Sequence, residues 1–243
     1  GLNQLGIKTD FVWVEEETRI NTVAQEDSGE WYIRLNEPGP HIPEDAIQSL
    51  LAKAEAYASK KDIWVAAGSL PQDVPADFYT QLIHLLKNKG VRVFFDANGE
   101  ALRAGLSDPP FLVNPDISET EDFVGFSIHN YDDAKRAVLP FLRLGVEYVA
   151  LSIDGLGLLL ASQQEMMLAT PPKVSIRNVT GAGDALMAGM AYGFARGMDL
   201  REIARLGAAF SAIAVTTVSL ASVKNSDVEA MLPRVEVRTV NVM

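Results

Sequence analysis

Two glycines and an alanine stand in front of a single acid in the stretch Val179-Thr180-Gly181-Ala182-Gly183-Asp184. Ala185-Leu186-Met187-Ala188-Gly189-Met190-Ala191 follows as a run of helix formers. Glycines at that spacing let the backbone turn tightly and let an anion approach its N–H groups. The helix behind them adds unpaired N–H groups and the positive end of its dipole. A phosphate fits such a place. A carboxylate does not help to bind one and repels it, so Asp184 needs a role of its own. It either caps the helix, as Asp often does, or acts as a general base, taking a proton from a hydroxyl that attacks phosphorus.

A loop of this kind has to be held by larger elements. Strand-like Val174-Ser175-Ile176 leads into it, and Gly189 and Gly193 allow the following helix to pack closely. Phe11 to Val14, Arg19 to Gln25 and Glu30 to Leu35 are short β-like segments, with a hairpin signal at Asp27-Ser28-Gly29. They predict a small, partly exposed antiparallel sheet, with Trp13, Trp31 and Tyr32 available to cover a ligand, a partner subunit or simply the core. After Pro38-Gly39-Pro40, a helical period runs from Pro43 to about Ser59. Strand and helix patterns then alternate. Ile63 to Ala67 reads as a buried strand, Phe78 to Asn88 as a helix, Val91 to Phe95 and Phe111 to Val113 as strands, and Tyr131 to Leu144 as a helix. Tyr148 to Ile153, Leu158 to Ala161 and Met166 to Leu168 read as strands, with helices over Ala185 to Arg196, Leu200 to about Thr217 and Asp227 to Leu232. This rhythm predicts an α/β fold of βαβ units around a mostly parallel sheet.

Ligands of open α/β sheets gather at the carboxyl ends of the strands. Those ends carry Gly68-Ser69-Leu70-Pro71, Asp96-Ala97-Asn98-Gly99, Asn114-Pro115-Asp116 and Asp154-Gly155-Leu156-Gly157. Each is also ordinary turn chemistry. Together with the Asp184 loop they outline one cleft.

The wording Asn178-Val179-Thr180-Gly181-Ala182-Gly183-Asp184-Ala185 closely resembles the signature of the ribokinase-like (PfkB) carbohydrate kinases. Thr18-Arg19-Ile20-Asn21, Gly68-Ser69-Leu70-Pro71 and Asp96-Ala97-Asn98-Gly99-Glu100 resemble their 1-phosphofructokinase and tagatose-6-phosphate kinase branch. The resemblance covers nearly the whole chain. It implies a three-layer α/β/α domain over residues 1–243, with a small β lid at 10–38 and a nucleotide-binding core at 39–243. It implies Asp184 as the base and Gly181, Ala182 and Gly183 as the anion hole. Arg19 and Ser69 would meet a phosphorylated ketohexose, as a guanidinium pairs well with phosphate; the alternative for Arg19 is a solvated strand arginine.

On the nucleotide side the family's Lys-Pro-Asn-x-x-Glu becomes Asn114-Pro115-Asp116-Ile117-Ser118-Glu119. Asp116 and Glu119 either organise Mg²⁺ through water or cap the helix from Ser118. The family's nucleotide turn becomes Ser152-Ile153-Asp154-Gly155-Leu156-Gly157, and Thr217 lies on the adenine side. The resemblance thus implies ATP and Mg²⁺, with a monovalent cation held by carbonyls around Asn178 and Thr180, and a homodimer through the lid.

Relatives begin with a sugar-binding strand and a glycine loop that this sequence does not contain. The opening Gly1-Leu2-Asn3-Gln4-Leu5-Gly6-Ile7 reads as the closing turn of a helix. A fragment of a longer kinase is therefore expected, with a non-catalytic nucleotide binder or a kinase of another sugar or nucleoside as alternatives. A dinucleotide-binding dehydrogenase is a poor match, because the loop lacks a third glycine and comes late in the chain.

The bulk numbers narrow the class. At 243 residues, 48% hydrophobic and 22% charged, the chain suits one soluble globular domain. A net charge of −11 argues against nucleic acid and against anionic membrane surfaces. With no cysteine there are neither disulfides nor thiolate metal sites, which fits a cytoplasmic setting. His41, His84 and His129 lack ligand spacing, so no transition-metal site is expected.

Overall fold

Runs such as Val93-Phe94-Phe95 and Leu158-Leu159-Leu160 are buried throughout, as strands covered on both faces must be. The computed structural model describes residues 2–25, 32–153, 156–217 and 223–241. Its strands are β1 (Asn21–Gln25), β2 (Tyr32–Asn36), β3 (Ile63–Ala67), β4 (Arg92–Asp96), β5 (Leu112–Val113), β6 (Tyr148–Ile153), β7 (Gly157–Ala161), β8 (Met166–Thr170) and β9 (Glu236–Val240). Its helices are α1 (Glu44–Tyr57), α2 (Phe78–Asn88), α3 (Gly99–Gly105), α4 (Ile117–Val124), α5 (Tyr131–Leu144), α6 (Ala182–Ala195), α7 (Leu200–Thr216) and α8 (Asn225–Met231).

Strands β3 to β9 form one sheet in sequence order. The pairs from β3 to β6 are parallel and those from β6 to β9 antiparallel, so only β7 and β9 run against the common direction. Alternation along β4 shows the layering. Phe95 joins one core with Ile47, Leu51, Ile83, Leu86 and Phe141. Phe94 points the other way, to Met187, Met190, Ile203 and Ala208. Helices α1, α2 and α5 thus cover one face and α6, α7 and α8 the other, giving three layers.

The packing of α6 on α7 depends on glycine. A Cβ on Gly189 would lie 2.7 Å from the Leu206 carbonyl oxygen, and one on Gly193 2.8 Å from Ile203 Cγ1. Both contacts are closer than real Cβ atoms make, as the spacing of these glycines predicted.

Val174-Ser175-Ile176, read as strand-like, lies in no strand, and other expectations also need correction. Phe11 to Val14 has no ladder partner, and Trp13 is 84% exposed, packing edge-on against Phe11. Among the described residues strand β3 pairs on one side only, with β4, and Val65 is 50% exposed. Helix α3 and strand β9 were not anticipated. The Asp27-Ser28-Gly29 hairpin signal and Trp31 lie outside the described residues.

The small sheet has two antiparallel strands, Asn21 opposite Asn36 and Gln25 opposite Tyr32. Ile20, Ile33 and Leu35 beside or on it are exposed. Polar tethers join its flanks to the core. Asp10 pairs with Lys53 and accepts from Tyr57 Oη at 2.7 Å, and His41 Nδ1 lies 2.7 Å from Asp73 Oδ2. Before the strands, Leu2–Leu5 forms a single 3₁₀ turn, closed by Gly6 in a left-handed conformation (φ 74°).

Candidate active site

Gly181 takes a left-handed conformation (φ 81°) and is itself the N-cap of α6, with no side chain capping the helix. A Cβ at that dihedral would be strained, which is why a glycine stands there. Ala182, Gly183 and Asp184 form the first turn, and their N–H groups have no acceptor among the described residues. Asp184 is exposed and makes no capping bond. The capping role open to it in the sequence therefore falls to Gly181. The approach to this turn is tied to the end of α7, where Arg177 and Asn178 N–H groups donate to the Val215 carbonyl at 2.7 and 3.2 Å. Asn178 Oδ1 accepts from the Thr180 N–H at 2.9 Å.

The carboxyl ends of β4 and β5 face this turn. The position of a Cβ on Gly183 lies 3.6 Å from Asp96 Oδ2 and 3.9 Å from Asn114 Oδ1. Asn114, only 5% exposed, knits three strand ends together. Its N–H donates to the Phe95 carbonyl at 2.9 Å, and its Nδ2 donates to the Ala150 carbonyl at 2.6 Å and reaches Ser152 Oγ at 3.5 Å. Asp116 and Glu119 cap α4 reciprocally: Asp116 Oδ1 accepts from the Glu119 N–H at 2.8 Å, and Glu119 Oε2 from the Asp116 N–H at 3.0 Å.

Four carboxylates therefore meet at one end of the sheet. Burial, then the charges of Asp184 and Asp116, push the Asp96 carboxyl up to about 6. Burial pushes Glu119 up to about 7 against the pull of the Asp116 N–H, with the Asp116 and Asp96 charges adding to the rise. Among the described residues none of the four is in an ion pair, and no three acidic or histidine side chains converge closely enough to ligate an ion directly. Excess negative charge without a cation suits a divalent ion held through water.

Just before β1, Arg19 contacts the turn after β3. Arg19 Nη2 donates to Ser69 Oγ at 2.7 Å and to the Ser69 carbonyl at 3.1 Å. Gly39, at φ 92°, passes beneath the Arg19 side chain. Tyr79 Oη donates to the Gly68 carbonyl at 2.7 Å, and the Gly68 N–H to the Asp96 carbonyl at 3.0 Å. Burial, with the charge of Asp96 adding and that of Arg19 opposing, pushes the Tyr79 phenol up to about 12.

The structure thus brings Arg19, Ser69, Asn114, Asp116, Glu119, Ser152 and the 181–184 turn to one end of the sheet. Asp154 and Gly155 lie outside the described residues. Gly157 has a packing reason of its own, since at φ 111° a Cβ there would collide with the Ala169 carbonyl of β8. Thr217 closes α7, with Oγ1 donating to the Ala214 carbonyl at 3.2 Å. Asp96 and Tyr79 were not singled out as site residues. The signal for Asp96 was its place directly after a buried strand; Tyr79 had none beyond its position at the start of a helix.

The model of the family described as pfkB family carbohydrate kinase matches residues 1–226. The 1-phosphofructokinase of Vibrio cholerae is 31% identical over 217 residues, 89% of this chain and 68% of its own length. That of Haemophilus influenzae is 30% identical over 97% of this chain and 75% of its own. Among solved structures, phosphofructokinase-2 from Escherichia coli in complex with potassium superposes with a TM-score of 0.86 at 26% identity. That match covers 96% of this chain and 75% of the other.

Proposed function

This chain belongs to the pfkB family of carbohydrate kinases, and from that membership we propose that it phosphorylates a hydroxyl of a phosphorylated ketohexose, fructose 1-phosphate first among them, with ATP. The observation that carries the reading is the first turn of α6: three N–H groups and the Asp184 carboxylate, all without a hydrogen-bond partner among the described residues. The Asp184 carboxylate takes the proton of the acceptor hydroxyl as its oxygen attacks the terminal phosphorus, and ADP leaves with the bridging oxygen. The N–H groups around Gly181, Ala182 and Gly183 stabilise the charge on the transferring phosphoryl oxygens. Arg19 and Ser69 hold the acceptor's phosphate, and closure of the lid over it excludes water. Asn114, Ser152 and the 154–157 turn border the nucleotide, with Thr217 on the adenine side. Asp116 and Glu119 would hold the water ligands of a magnesium ion brought with ATP, which would neutralise phosphate charge. Carbonyls near Asn178 and Thr180 suit a monovalent cation. The exposed β1–β2 face with Ile33 and Leu35 suits a homodimer contact. No helix among the described residues is long and apolar enough to cross a membrane, and we place the enzyme in the cytoplasm.

The test is turnover of fructose 1-phosphate and ATP by Asp184→Asn. A fall of at least about a hundredfold in kcat is expected from loss of a general base, with the circular dichroism spectrum unchanged. Turnover within about tenfold of the parent would remove Asp184 from this role. Asn114 and the uncompensated carboxylates favour one other reading, a nucleotide binder without transfer. ATP binding by calorimetry with no phosphoryl transfer to any ketohexose phosphate would select it.

A further inference from the structure

The β3–β4 ladder runs on past the two strands as far as the Gly68 N–H, which donates to the Asp96 carbonyl at 3.0 Å. In a parallel ladder the next bond would run from the Asn98 N–H to the Gly68 carbonyl. That bond is absent among the described residues, because Asn98 already caps α3 and the chain turns away. Tyr79 Oη donates to the Gly68 carbonyl instead, at 2.7 Å. The Ser69 N–H has no acceptor, so among the described residues this is the one hydrogen bond on the Gly68–Ser69 peptide. Gly68, at φ 104°, has no side chain of its own to steady that peptide.

Tyr79 is well placed to do so. It is 5% exposed, in the first turn of α2, with its ring edge-on to Phe95 at 5.1 Å and tilted against Phe78 at 5.5 Å. Phe95 is wedged in turn by α3, where a Cβ on Gly105 would lie 2.5 Å from its ring. A close-packed ring fixes where its hydroxyl oxygen sits. Burial, with the charge of Asp96 adding and that of Arg19 opposing, pushes the phenol up to about 12, so it stays a donor.

We propose that Tyr79 is a positioning residue for the acceptor end of the site: its hydroxyl orients the Gly68–Ser69 peptide and, through Ser69, the Arg19 guanidinium. Ser69 offers Arg19 two acceptors, Oγ at 2.7 Å and the carbonyl at 3.1 Å, and both bonds come from Nη2. The two protons of Nη2 are thereby used, and the guanidinium plane is set with Nη1 and Nε left to donate elsewhere. A tilt of the Gly68–Ser69 peptide moves both acceptors of Ser69 together, and Arg19 loses its orientation at once. That Arg19 then meets a sugar phosphate rests on the reading above; that Tyr79 steadies Arg19 does not.

Tyr79→Phe removes the hydroxyl and keeps the ring. It is expected to raise KM for fructose 1-phosphate about tenfold or more, with kcat and KM for ATP within about twofold, the pattern of lost acceptor binding. Thr80→Val is the control, because Thr80 Oγ1, next along α2, donates to the Ala104 carbonyl of α3 at 2.8 Å. It is expected to leave the kinetic constants unchanged even where it lowers Tm as much. Gly68→Ala strains the same peptide from the other side and is expected to reproduce the KM pattern. In the ligand-free protein, the NMR signals of the Arg19 guanidinium, identified by their loss in Arg19→Lys, are expected to broaden through exchange with water in Tyr79→Phe and not in Thr80→Val. The proposal is overturned by Arg19 signals that Tyr79→Phe leaves unchanged, or by the same KM rise in Thr80→Val. It is also overturned by a KM for fructose 1-phosphate that stays within about twofold of the parent, or by KM values for both substrates that rise alike. A parent that turns over no ketohexose phosphate fails the kinase reading, and the Arg19 signals then decide alone whether Tyr79 holds that side chain.

Discussion

Above pH 6 the Asp96 carboxylate holds a charge that its surroundings disfavour. Its folded value, about 6, lies above the ordinary 3.8, so the folded state binds this proton more tightly than the unfolded chain does. The penalty is full above pH 6, shrinks as pH falls, and is gone below 3.8. Roughly two units correspond to at most about 3 kcal/mol. Asp96→Asn is therefore expected to raise Tm at pH 8 and to leave it unchanged at pH 4, as thermal scans at the two values would show. An equal gain at both would assign the effect to packing instead. The Gly-Ala-Gly-Asp turn was legible because its chemistry lies in contiguous residues. The closeness of Asp96 to it was not, because that depends on how α6 is laid across the ends of β4 and β5. For Asp116 and Glu119 the sequence offered capping or metal binding. The capping bonds are formed, and they leave the remaining lone pairs of both carboxylates available.

At the scale of elements, the contact of α6 with α7 is the tightest test of the sequence reading. Gly189→Ala forces its Cβ against the Leu206 carbonyl at 2.7 Å. Because that neighbour is backbone, the helices must move apart, at about 1–3 kcal/mol. A lower urea midpoint with an unchanged slope is expected, and an unaltered midpoint would mean that the two helices yield freely. Helix and strand periods were readable wherever apolar residues recur, as in α1, α2, α5 and α7. They failed where another cause rules. Helix α3 was hidden because Asp96-Ala97-Asn98-Gly99 reads as a turn, and β9 because Glu236-Val237-Arg238 looks solvated.

For the molecule as a whole, β9 closes the sheet with residues from the far end of the chain. It pairs along the length of β8, from Met166 opposite Val240 to Thr170 opposite Glu236. Ending the chain at Arg234 removes that partner, and with it the carbonyl that Arg201 covers. Light scattering is expected to rise at once on purification, because β8 is an apolar strand with an open edge. A soluble monomer with an unchanged Tm would rule out this role for β9.

The separate β1–β2 sheet is small and weakly held. A ribbon of that size is not stable alone in water, and its tethers through Asp10, Arg19 and His41 are surface contacts of small individual worth. The β1–β2 ladder therefore detaches at a much lower free energy than the core unfolds. On the proposal that Arg19 meets the acceptor, only the fraction of molecules with the ladder seated is competent to bind it, and the apparent affinity is the intrinsic one scaled by that fraction. A change that steadies the ladder then tightens binding without touching any atom that meets the ligand.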